Sequence, residues 1–104
     1  MARLFNIDIA VDTRDFWFFF ADIFVMGVQY GSRVDMCEKL TAAAGSQDTL
    51  MQAVADRAVA GGITYDQYDA VSLSNTKIDT NNALRQWTYQ YCTEFGFFQT
   101  PNSE

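Results

Sequence analysis

Between Phe16 and Tyr30 the chain places Phe16, Trp17, Phe18, Phe19, Phe20, Ile23, Phe24, Val25, Met26, Val28 and Tyr30 within fifteen residues. Asp12 or Thr13 stands in front of this stretch as an N-cap, and Gly31 follows it where a left-handed residue closes a helix, so the stretch is predicted to be helical. At helical spacing its apolar side chains surround the whole circumference rather than one stripe, the pattern of a helix buried on all sides. A chain of 104 residues makes one domain with one modest core. Such a core can hardly surround this helix. The stretch is also interrupted by Asp22 and falls short of the ~20 residues that a bilayer span requires. It is predicted to be a core helix and not a membrane span.

Composition excludes several classes of function. The sequence has no histidine, so it cannot complete a Ser-His-Asp or Cys-His triad, a His-ligated zinc site or an imidazole switch. No catalytic residue, metal site or cofactor is predicted within it. A net charge of -6 offers no surface that tracks phosphates and is repelled by anionic headgroups, which argues against nucleic-acid and membrane-surface partners. Apolar residues at 49% and aromatic residues at 15% argue against disorder. Near Met1 there is no basic region followed by an apolar run and a small-residue cleavage site. The expectation is therefore a cytosolic protein, or one whose beginning is missing.

Further helices follow the first. Ser32 and Asp35 have the spacing of a capping box that opens a second helix toward Ala44 and Gly45, with Val34, Cys37 and Leu40 on its inner face. Ser46 and Asp48 start a third, whose Leu50, Val54 and Val59 stripe ends at a flexible break, Gly61 and Gly62. From Ile63 to Asp79 the pattern is mixed: Tyr65, Tyr68, Val71 and Leu73 suit a short helix, whereas Ser72, Ser74, Asn75 and Thr76 suit a loop. Asp79 or Thr80 caps a last helix with Leu84, Trp87 and Tyr91. The domain division is residues 1–79, residues 80–100 and a polar tail over 101–104.

Few residues offer chemistry on their own. Cys37 and Cys92 fit neither a redox motif nor a zinc spacing, and they read as two buried thiols or as halves of disulfides in an oxidising compartment. Asp35 with Glu38 and Asp66 with Asp69 share helical faces, and such faces are ordinarily solvated. Asp79 to Asn82 opens like a calcium loop, but Leu84 stands where the turn needs glycine and Gln90 replaces the closing glutamate.

The run Arg85 to Thr100, RQWTYQYCTEFGFFQT, resembles a signature of the serine exopeptidases that include lysosomal Pro-Xaa carboxypeptidase, dipeptidyl peptidase II and thymus-specific serine protease. Trp87, Tyr89, Gln90, Cys92, Thr93 and Glu94 reproduce its W-x-Y-Q-x-C-T-E core, and the following FGFFQT is most similar to the thymus-specific branch. Upstream, Asp15 to Gly31, DFWFFFADIFVMGVQYG, is similar to a helix in the cap above the family's active site. The resemblance runs from about Leu4 to Thr100.

It implies a mainly α fold: the helical cap of an α/β-hydrolase-type serine peptidase, without the catalytic core. The nucleophilic serine is then expected before Met1, and the catalytic Asp and His after Glu104. The implied function is a contribution to the substrate site of a lysosomal or secreted peptidase that cleaves prolyl or related bonds. Phe97, Phe98 and Glu94 are candidates for the pocket wall, with Glu94 holding a substrate amino terminus or pairing structurally with Arg85. Cys92 is expected to form a disulfide with a downstream cysteine, and Cys37 is a second disulfide candidate. The implied partners are a peptide substrate and the remainder of the peptidase chain. The apolar surface of the Phe16 to Tyr30 helix leads separately to an expectation of self-association for the chain alone. The alternatives are a free-standing helical binding module with an aromatic pocket, or a regulatory chain that acts on a partner.

Overall fold

A computed structural model describes residues 2–7 and 10–96 of the chain. These residues are mainly helical, with no strand among them, and the chain falls into two compact units, Met1–Ser74 and Asn75–Glu104.

The first unit opens with a 3-10 turn, Ala2–Phe5, and then α1, Thr13–Gln29. Asp12 is extended and caps α1, its Oδ1 accepting the Arg14 N–H at 2.8 Å. The Arg14 side chain returns to the same carboxylate and holds it down to a pKa of about 2. At the other end Gly31 takes φ 82°, and the Ser32 N–H donates to Gly27 O at 2.8 Å, closing a Schellman motif. A left-handed glycine at this place was expected.

Three elements follow: α2 (Arg33–Ala43), α3 (Gln47–Ala60) and, after a 3-10 turn at Tyr65–Gln67, α4 (Ala70–Leu73). The capping box read at Ser32 does not form. Ser32 makes no side-chain cap bond, and its N–H is used in closing α1, while Asp35 pairs with Lys39 at 3.0 Å. The inner face of α2 also differs from expectation. Met36 is its buried residue, with Leu40 half-buried, whereas Val34 and Cys37 are exposed.

The third helix begins at its expected cap, where Ser46 Oγ accepts from the Thr49 N–H at 3.2 Å. Its buried stripe is Val54, Ala55 and Ala58, and Val59 faces outward. The Gly61–Gly62 pair is an ordered closure and not a flexible break. Gly62 takes φ 64°, the Ile63 N–H donates to Ala58 O at 3.0 Å, and Ile63 is buried. Thr64 and Gln67 then form a capping box that opens the 3-10 turn.

The core lies between α1 and α3. Phe16, Phe19 and Ile23 meet Val54, Ala55 and Ala58, and Phe5, Ile7, Ile63 and Tyr65 close the ends of the layer. Phe5 stands edge-on to Phe16 and Phe19 at ring centroid separations of 5.9 and 5.5 Å, the geometry that aromatic quadrupoles favour. The expectation of burial on every side of α1 is not met within this chain. Trp17, Phe18, Val25 and Val28 remain exposed, because α2, α3 and the 3-10 turns cover only part of its circumference.

The expectation of a solvated face holds for Asp66, which is exposed, and fails for Asp69. It is buried and caps α4, accepting from the Ser72 N–H and Oγ, each at 2.8 Å. These bonds favour the ionised form and lower its pKa from the ordinary carboxylate value. A depressed folded-state pKa stabilises above the unfolded value near 4 and is lost as pH falls through the folded one. Asp69→Asn keeps an acceptor for the cap but removes this titration. The expected result is a flatter loss of thermal midpoint below about pH 4 for Asp69→Asn, and a midpoint lower by a few degrees at neutral pH for Asp69→Ala. Melting curves over a pH series check both.

In the second unit the loop before the last helix consists of side-chain-closed turns. Asn75, Asp79 and Asn82 each accept, through Oδ1, the N–H two residues ahead. These turns compete with helix and delay α5 to Leu84–Gln90 with Ala83 as its N-cap, not Asp79 or Thr80.

Candidate functional site

The residues that carry the peptidase signature begin on α5 and continue into a π-helical turn, Tyr91–Phe95. The widened turn ends at Gly96, which takes φ 60°, a conformation that L side chains rarely adopt. Within it the Thr93 hydroxyl donates to Tyr89 O at 2.7 Å, drawing on a carbonyl four residues back. Turns of this kind occur frequently at functional sites. Nothing in the residue types of Gln90 to Glu94 announces it.

The geometry gathers three signature aromatics on one side. Trp87 is edge-on to Tyr91, with ring centroids 6.1 Å apart, and lies 6.5 Å from Phe95 in a tilted arrangement. Trp87 and Phe95 remain largely exposed and Tyr91 is half-buried, so this ladder is a surface and not a closed pocket. Glu94 and Cys92 are also exposed on the turn. Phe97 and Phe98, the two expected wall residues, lie outside the described residues.

The reading of two buried thiols is overturned. Cys37 and Cys92 are both free and exposed. On α2 the inward position is taken by Met36, which leaves its neighbour Cys37 facing outward.

Two further arrangements belong to the first unit. An open groove of about 550 Å³ runs between Phe5, Asn6 and Ile7 and the segment from Ala55 to Asp66. Its aromatic lining is Phe5 and Tyr65, both members of the core. On α1, Asp22 Oδ2 accepts the Tyr68 hydroxyl at 2.5 Å, and burial with this carboxylate holds the Tyr68 proton well above the usual phenol range. The interruption at Asp22 was visible in the sequence, but its partner 46 residues away was not. Among the described residues no group of three or more Cys, Asp or Glu side chains is placed to hold a metal ion, and no helix is long and apolar enough to cross a membrane.

The signature residues thus lie on a short helix and a widened turn, in a sequence without histidine. The chain belongs to the serine carboxypeptidase S28 family, whose model matches residues 5–104. It is 34% identical over 102 residues to a protein described as "Probable serine protease EDA2" from Arabidopsis thaliana. That alignment takes in 92% of this chain and 21% of the relative, so the chain spans about a fifth of the protein it matches. No solved structure matches it.

Proposed function

We propose that the chain is the helical cap portion of an α/β-hydrolase-type serine exopeptidase, supplying part of the substrate-pocket wall to a catalytic core carried elsewhere. The observation that carries this reading is the family match over residues 5–104 in a sequence without histidine. The uncovered apolar face of α1 supports it, because a face of that kind marks a surface that a larger assembly buries. The substrate class is a peptide with a prolyl or related residue at the cleaved bond, and the setting is the lysosome or the secretory route, by resemblance to the family of exopeptidases.

Phe97 is the wall residue in this reading, with Phe98 beside it, and Glu94 keeps a structural role. A proline ring is small, rigid and apolar, so a flat aromatic wall binds it by packing without a hydrogen-bond partner. Cys92 is half of a disulfide with a downstream cysteine, which suits its exposure on the turn. Peptide mapping of a complete family member under non-reducing conditions tests that bond. In a complete enzyme that contains this segment, Phe97→Ala is expected to weaken discrimination for the preferred side chain by about 1 to 3 kcal/mol with folding unchanged. Ratios of kcat/KM for a prolyl substrate and an isosteric competitor measure it. Unchanged ratios at unchanged stability would remove Phe97 from the pocket.

A further inference from the structure

From Trp17 to Val28 the outward side of α1 is an apolar strip with Asp22 at its rim, while Arg14, one turn earlier in the same sector, pairs with Asp12. Successive helical residues turn by about 100°. Trp17, Phe18, Ala21, Val25 and Val28 therefore fall within a sector about 100° wide, and all five are exposed. Trp17 and Val28 each keep 54% of their surface in solvent. Ala21, at the centre of the strip, lets another backbone approach closely.

Asp22 lies at the edge of this strip, half-buried, and the other charged residues of the helix, Arg14 and Asp15, stand in its first turn. One of its carboxylate oxygens receives the Tyr68 hydroxyl at 2.5 Å, and the Tyr68 ring is itself fixed edge-on against Phe18 at 5.6 Å. The carboxylate is thus held in one orientation with one hydrogen bond. The ion pairs among the described residues engage Asp12 and Asp35 and leave Asp22 without a cation. In water the second oxygen is hydrated. Covering the strip removes that water, and an ionised carboxylate enters an apolar interface only when a cation or further donors replace it.

We infer that the strip is the docking face of the chain on the remainder of the peptidase, and that the surface covering it is apolar and presents one Lys or Arg to Asp22. The occupant follows from length and charge: about four-fifths of the matched relative lies outside this segment, and the chain itself is acidic at -6, which disfavours a second copy at a carboxylate. The inference rests on the proposed membership of a larger enzyme. It adds the face, the register and the sign of the partner.

The test uses a chimera in which residues 5–104 replace the matching segment of the Arabidopsis protein, alongside the chain alone. Ala21→Arg is expected to leave the melting of the chain alone unchanged and to lower the chimera's midpoint by about 5 °C or more. Asp22→Asn, which keeps an acceptor for Tyr68, is expected to lower the chimera's midpoint by less, and Asp22→Lys by more than Asp22→Asn, because it sets two cations together. The distinction shrinks in high salt. A folded chimera indifferent to Ala21→Arg would overturn the docking face while leaving the family reading intact. Equal effects of Asp22→Asn and Asp22→Lys would overturn the cation. Relief of self-association by Ala21→Arg in the chain alone, with no effect in the chimera, would make a second copy the occupant and overturn the inference. A chimera that does not fold would overturn both readings.

Discussion

The chain made alone is expected to turn over no peptide substrate. A serine hydrolase draws at least about 10⁴-fold of its acceleration from the unit formed by nucleophile, base and orienting acid, and its members do not act additively. A sequence without histidine lacks the base, so the deficit is the whole unit and not a fraction of it. An assay of homogeneous recombinant chain on a prolyl peptide, with and without a serine-directed inhibitor, is expected to give the same signal as buffer. Inhibitor-sensitive turnover would show that catalysis here needs no imidazole.

The second large effect is in the core. Phe19 is 1% exposed and contacts Phe5, Phe16, Tyr65 and Tyr68 through their rings. Phe19→Ala removes those contacts and leaves a cavity that α1 and α3 cannot both collapse around. The expected cost is about 3 to 5 kcal/mol, a large part of the 5 to 15 kcal/mol that holds a domain of ordinary stability. Phe18→Ala, one residue earlier, is expected to cost well under half as much, since Phe18 is nearly half exposed. Urea denaturation of the two variants beside the parent separates them. Equal losses would mean that the two faces of α1 are equally engaged in this chain.

The sequence was most informative where one residue type has a single structural use. Gly31 could be read as the left-handed closure of α1, and Ser46 as the cap of α3, because backbone geometry at those places admits few alternatives. Ser32 differs because one residue serves two helices: its N–H closes α1 and so is not free for Asp35, and its backbone at φ -90°, ψ 10° is not the extended one from which a serine oxygen caps a helix. On α2, Met36 and not Cys37 turns inward, since the apolar residues of this short helix are scattered around it and form no stripe that fixes its rotation in advance. The late start of α5 came from turns closed by Asn75, Asp79 and Asn82, local bonds that compete with helix and cannot be ranked from residue types alone.

The candidate site was legible in a different way. The order of Trp87, Tyr89, Gln90, Cys92, Thr93 and Glu94 identified the family, yet gave no sign that the segment widens into a π-helical turn with Trp87, Tyr91 and Phe95 in one ladder. Phe97 and Phe98 lie beyond the described residues, so their placement rests on resemblance. The apolar circumference of α1 was the clearest case. Sequence pattern called for burial on every side, a chain of this length could not provide it, and Trp17, Phe18, Val25 and Val28 are left in solvent.

Whether those side chains are covered in the proposed larger peptidase is the question on which the account stands. Hydroxyl-radical footprinting compares the chain alone, at a dilution where it sediments as a monomer, with residues 5–104 set into the Arabidopsis protein. Trp17 and Phe18 are expected to be oxidised readily in the chain alone and protected severalfold in the larger protein, with Phe19 protected in both. Equal oxidation of Trp17 in the two settings would contradict the account and leave the chain as a free-standing helical module.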